Sequence, residues 1–126
     1  MAEPVRSGLI LFAHGSRDPR WREPFERLLA KVEGLRPNVD VRLGYLELMA
    51  PDLASVISEL VSHGCGKIRV VPVFLGQGGH VREDLPVLLR GLQERYPKVI
   101  LSQARAVGDD DDVLDAIAAY CARGQE

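Results

Sequence analysis

The chain has 126 residues, is 46% hydrophobic and 27% charged, and carries a formal net charge of −2. That is the size of one ordinary domain, and aromatics at 6% make its core mainly aliphatic. The charge leaves no footprint for nucleic acid or an anionic membrane, no apolar run approaches the roughly 20 residues that span a bilayer, and "MAEPVRS" lacks a signal-peptide core, so a cytoplasmic protein without nucleic-acid or membrane partners is expected.

Four strand-then-helix units follow in chain order. The first strand is expected over residues 8–13, running through "LILFA" into "HGSRDP". Trp21, Phe25, Leu28, Leu29, Val32 and Leu35 then recur at helical spacing. The start of that helix is ambiguous, because Pro19 and Pro24 both suit a first turn and both cannot hold the same position. A second strand is expected over 39–47, "VDVRLGYLE". Pro51 opens the next helix, with Leu53, Val56, Ile57, Leu60 and Val61 on one stripe and Gly64 as its stop.

The third strand is expected over 67–75, although Pro72 cannot donate to a ladder there. A third helix follows His80 and turns Val81, Leu85, Leu88, Leu89 and Leu92 inward. A fourth strand is expected over 98–104. The last helix opens at "DDDD", 109–112, whose carboxylates suit a helix N-terminus, and buries Val113, Leu114, Ile117 and Cys121. Alternating strands and helices with short loops predict an α/β domain: an open, parallel, four-stranded flavodoxin-like sheet in order 2-1-3-4, with helices on both faces. One domain over 1–126 is expected, with residues 1–7 and 123–126 as flexible ends.

Two of the three histidines occupy matching places. His14 ends the first strand, and His80 follows the third by the short loop "GQGG". In a 2-1-3-4 sheet the strand order reverses between those two strands, and sites form outside the carboxyl ends there. Neighbouring strands are about 4.8 Å apart, so the two imidazoles are expected to converge on one ion. Glu47, at the end of the second strand, lies on the same edge, and two histidines with a carboxylate suit a divalent first-row metal with positions left open. His63, in "SHGCGK", reads as a helix C-terminal residue rather than a ligand. Cys65 and Cys121 form no CxxC pattern and read as small apolar residues, not as a zinc or iron–sulfur site. There is no P-loop, no dinucleotide fingerprint and no G-x-S-x-G elbow around Ser16, so neither ATP nor another nucleotide is expected. A histidine phosphatase is disfavoured because Ala13 stands where that family wants an arginine.

Taken together, "LFAHGSRDP", "GYLELMAPDL" and "VVPVFLGQGGHVREDLP" resemble the small class II chelatases of the sirohydrochlorin cobaltochelatase and ferrochelatase family. The resemblance covers nearly the whole chain. The loop before His80 is more polar than the family usually shows, with Gly76, Gln77 and Gly78, and no histidine-rich tail is present. The resemblance implies ATP-independent insertion of a divalent metal (Co2+, Fe2+ or Ni2+, as substrate) into sirohydrochlorin, on the way to sirohaem or cobalamin, by a homodimer. It implies His14 as metal ligand and base, His80 as metal ligand and Glu47 as the family acid. It also implies contact between the macrocycle and the loop Leu75, Gly76, Gln77, Gly78 and Gly79.

The chemistry agrees with these residue types. Two pyrrole protons must leave, and a histidine can accept one. Imidazole holds the ion without trapping it as thiolates would. Sirohydrochlorin is rich in carboxylates, and Ser16, Arg17, Arg20, Arg22 and Arg82 flank the two histidine turns as candidate contacts. A non-catalytic metal or tetrapyrrole carrier would use the same ligands and is the alternative.

Overall fold

The computed structural model describes residues 6–76 and 78–125. Strands β1 (Arg6–Ala13), β2 (Asp40–Tyr45), β3 (Cys65–Pro72) and β4 (Ile100–Gln103) form one parallel sheet in the expected order, β2-β1-β3-β4. Helices α1 (Glu23–Leu35), α2 (Leu53–Ser62), α3 (Gly79–Arg95) and α4 (Asp111–Ala122) follow the strands in turn. Residues 1–5 and 126, expected to be flexible, lie outside the described residues. Arg6 and Ser7 depart from that expectation, because both belong to β1 and Arg6 is paired to Asp40 at 2.8 Å.

The two proline ambiguities resolve in the backbone. Pro19 opens a short 3-10 turn, Pro19–Arg22, whose first amide is capped by the Asp18 carboxylate, and Pro24 lies in the first turn of α1. Each proline therefore has a first turn of its own. Pro72 closes β3. Along a strand the N–H groups point alternately to either neighbour. The amide of Val73 donates to Phe12 in β1, so position 72 faces β4, which has already ended at Gln103. No ladder bond is lost there.

Most of the core lies on one face. Ile10, Phe12, Ile68 and Val70 of the sheet pack with Val56, Ile57 and Leu60 of α2 and with Val81, Leu85, Leu89 and Leu92 of α3. Burying such a side chain stabilises the fold by about 1.5–3 kcal/mol. Gln93 ties α3 to the edge strand, donating to the Tyr96 and Val99 carbonyls and accepting from the Leu101 amide. On the other face α1 covers β2, above the buried Leu11, Ala13, Val41 and Tyr45, with Trp21 stacked on Phe25.

Five expected core positions, Leu35, Leu88, Leu114, Ile117 and Cys121, are not core. Leu35 is exposed at the end of α1, and Leu88 is exposed on α3. In α4 every residue from Leu114 onward is exposed, Cys121 included. Its main contacts are with the short 3-10 turn before it, Val107–Asp109. Helical spacing identifies an apolar stripe but not what covers it.

Candidate functional site

The ladder between β1 and β2 continues past both strands. The Leu46 amide donates to the Ala13 carbonyl at 2.8 Å, and the Glu47 amide donates to the His14 carbonyl at 3.1 Å. His14 and Glu47 are thereby neighbours at the carboxyl end of the sheet. Gly15 makes this approach possible. Its φ is +93°, and a Cβ there would fall on the Glu47 carbonyl. Leu48, directly after Glu47, holds a φ of +66°, an outlier for a bulky side chain of the kind that clusters at binding sites. The loop is closed by the Tyr45 amide on the Pro51 carbonyl at 2.9 Å, and Arg22 reaches over the Tyr45 ring to the Ala50 carbonyl at 3.2 Å.

The β3 side adds an aromatic wall. The His14 ring lies 4.3 Å from the ring of Phe74, and Phe74 lies 5.8 Å from Phe12, which is fully buried. The Val73 amide on the Phe12 carbonyl, 2.7 Å, fixes where this loop leaves the sheet. Behind it the Gly108 amide donates to the Phe74 carbonyl at 2.9 Å.

Together these segments enclose an open cavity of about 280 Å³. His14, Glu47 and Asp84 supply its polar groups, and Phe12, Leu46, Val81, Leu85 and Leu88 its apolar lining. Drug-sized ligands occupy about 300–1,000 Å³. At about 280 Å³ the hollow is at the small end of that range, and Leu88 on its wall is exposed, as are Leu48 and Leu75.

His80 is the second residue of α3, inside the first turn rather than in the loop before it, and Gly78 is the residue that precedes the helix. Gln77 and the side chains of Gly79 and His80 lie outside the described residues. Among the described residues no group of three or more His, Cys, Asp or Glu side chains stands close enough to hold a metal. Leu75, Gly76 and Gly78 are exposed. The Ser16 hydroxyl accepts the Asp18 amide at 3.1 Å and so shapes the turn after His14. Of the four flanking arginines, Arg20 is committed to Asp18 at 2.8 Å and Arg22 to Ala50. Arg17 and Arg82 are exposed and, among the described residues, form no ion pair.

Phe74, Leu46, Asp84 and the cavity-lining role of Leu88 are absent from the sequence reading. Asp84 carried a usable signal: it stands four residues after His80, on the same helix face. His63 is where it was expected, at the end of α2, with Arg42 3.5 Å from its Nδ1 and far from the cavity residues in the fold. Cys65 is buried. Burial and the Asp40 carboxylate, 3.5 Å from its sulfur, raise the pKa of its thiol.

A protein-family model described as CbiX matches residues 8–123. The chain belongs to the CbiX family. It is similar to a sirohydrochlorin cobaltochelatase of Methanopyrus kandleri, 35% identical over 70% of this chain and 61% of the relative. It is also similar to a sirohydrochlorin ferrochelatase of Bacillus subtilis, 27% identical over 90% of this chain and 43% of the relative. The chain thus spans about half the length of these curated relatives. The crystal structure of a cobalamin-biosynthesis CbiX protein from Marinobacter aquaeolei VT8 superposes with a TM-score of 0.81 at 31% identity, covering 91% of this chain and 93% of that one.

Proposed function

We propose that this protein inserts a divalent metal, Co2+ or Fe2+, into sirohydrochlorin without ATP. The observation that carries the reading is the backbone bond joining Glu47 to His14 at the rim of one cavity, with an apolar lining and a helix beginning at Gly79 beside it. The relatives' names, one a cobaltochelatase and one a ferrochelatase, support both metals. Imidazole and carboxylate accept Ni2+ as well, so the reading extends to it.

In this reading the ion is substrate. His14 and Glu47, with His80 from the first turn of α3, hold it weakly enough to release it. The macrocycle lies with its apolar face on Leu48, Leu75 and Leu88, and its carboxylates meet Arg17 and Arg82. Two pyrrole N–H protons must leave as the two nitrogen lone pairs close on the metal. His14 accepts one, and its ring is held for the purpose against Phe74. The exposed mouth lets water carry the other away.

We place the protein in the cytoplasm as a homodimer. No helix among the described residues is long and apolar enough to cross a membrane. The test is an anaerobic absorbance assay of purified protein with sirohydrochlorin and each metal in turn, without ATP. Many turnovers per chain are expected. A product yield that stops at one equivalent would make the protein a carrier and overturn the reading.

A further inference from the structure

Arg22 joins the two chain segments that frame the cavity, although it is not among the residues that line it. It ends the 3-10 turn Pro19–Arg22. Short bonds fix that turn soon after His14. The Ser16 hydroxyl accepts the Asp18 amide at 3.1 Å, the Asp18 carboxylate accepts the Arg20 amide at 2.9 Å, and the Asp18 carbonyl accepts the Trp21 amide at 3.0 Å. From this base the Arg22 guanidinium crosses the Tyr45 ring, 5.6 Å from its centroid, and its Nη2 donates to the Ala50 carbonyl at 3.2 Å. A planar guanidinium suits both duties, since it stacks on an aromatic face and donates at its edge.

Ala50 lies in the loop 46–51, which also carries Glu47. That loop needs a tie. Leu48 holds a φ of +66°, and a bulky residue stays in that region only where its surroundings fix it. Backbone bonds secure the loop at the Glu47 amide, on His14 at 3.1 Å, and at the Pro51 carbonyl, from Tyr45 at 2.9 Å. Arg22 adds a bond between them. The arrangement has a cost. The Arg22 Nε and the Tyr45 hydroxyl are both buried, and among the described residues neither makes a hydrogen bond of ordinary geometry. Backbone strain and unmet buried polar groups gather where a fold holds a functional position.

We infer that Arg22 is a positioning residue for Glu47: it holds the 46–51 loop from the turn after His14, and so sets where the Glu47 carboxylate stands against the His14 imidazole at the ion. This deepens the metal-insertion reading above and rests on Glu47 being a ligand there. It also replaces the expected contact between Arg22 and a substrate carboxylate, because the guanidinium is engaged by Ala50 and the Tyr45 ring.

The experiment is a double-mutant cycle on Co2+ affinity, measured by calorimetry without the macrocycle, with insertion kinetics alongside. Arg22→Met removes the donor and keeps apolar cover on the Tyr45 ring, and Arg22→Gln is a second variant. Each of these, and Glu47→Gln, is expected to weaken Co2+ binding about 10-fold with circular dichroism unchanged. The double variant Arg22→Met, Glu47→Gln is also expected at about 10-fold rather than about 100-fold, because no carboxylate is left to misplace. Losses that multiply in the double variant would give Arg22 a role independent of Glu47 and overturn the inference. Parental Co2+ affinity in both Arg22 variants would overturn it too. A lowered melting temperature alone would then make the tie merely structural, and a raised KM for sirohydrochlorin would return Arg22 to the substrate. Parental affinity in Glu47→Gln, or a parent that binds no Co2+, would remove the ligand that Arg22 places and overturn the inference as well. A parent that shows the coupled Co2+ binding yet inserts no metal would overturn the chelatase reading and leave the positioning role standing.

Discussion

The carbonyl of Leu75 occupies the space that a Cβ on Gly108 would fill. The turn after β4 thus props the loop that leads from β3 to His80 from behind. With Gly108→Ala, either the turn or the loop must shift, and small-to-large changes in packed places cost about 1–3 kcal/mol. We expect a folded protein with a lowered melting temperature and metal insertion reduced about 10-fold or more, since small misplacements of reacting groups are costly. Unchanged kcat/KM would show that this support does not reach the site.

Gly15 is under a stricter demand. Both its φ of +93° and the Glu47 carbonyl exclude a side chain. Gly15→Ala is expected to lose insertion activity and to weaken Co2+ binding measured by calorimetry, because Glu47 and His14 can no longer lie side by side. An alanine variant with parental Co2+ affinity would separate Glu47 from the ion.

The cavity's polar groups should be unequal. His14→Ala is expected to remain folded, since the residue is exposed, and to lose insertion by about 100-fold or more. Glu47→Gln should cost about 10-fold, because water replaces a carboxylate more easily than a base. Asp84→Asn, on the α3 wall, should fall nearer the Glu47 variant than the parent. Steady-state insertion rates with Co2+ rank the three, and a His14 variant at parental speed would move the chemistry elsewhere.

At the opposite end of the sheet, acid should loosen the fold. Burial alone would raise the Asp40 carboxyl, but the bonds from Cys65 and Arg6 and the charge of Arg42 outweigh it and hold it below its ordinary value. A depressed carboxyl binds fewer protons folded than unfolded. Its stabilisation is therefore present above the unfolded value, about 3.9, and is lost as pH falls through and below it. Urea midpoints measured between pH 7 and 3 should drop more steeply below about pH 4 for the parent than for Asp40→Asn. Parallel curves would assign acid sensitivity to other carboxylates, such as the α2 cap Asp52, whose pKa is also lowered, by its bonds from Ser55.

Strand order, the helix stripes of α2 and α3, and the meeting of His14 with Glu47 were legible in the sequence because each follows from a short-range pattern plus a handedness rule. An apolar run that breaks at a polar residue marks a strand end, and the switch between β1 and β3 decides which ends are adjacent. What stayed hidden depends on three-dimensional neighbours. Phe74 looks like one more apolar strand residue until its ring is seen beside His14. Leu88 satisfies the core period of α3, yet it points where the sheet has ended and only the cavity remains. Leu35, Leu114 and Ile117 fit a helix stripe as well as any buried residue, and no periodicity states which neighbour exists.

The uneven distribution of the core between the two faces has a dynamic consequence. Amides of β1 and β3 lie under the α2–α3 layer and should exchange with solvent only through global unfolding. Those of α4, with nothing buried beneath them, should exchange through fraying of the helix itself, orders of magnitude sooner in an isolated chain. Deuterium uptake along α4 therefore reads whether that helix is seated, and its slowing with protein concentration would report assembly without any label on the protein.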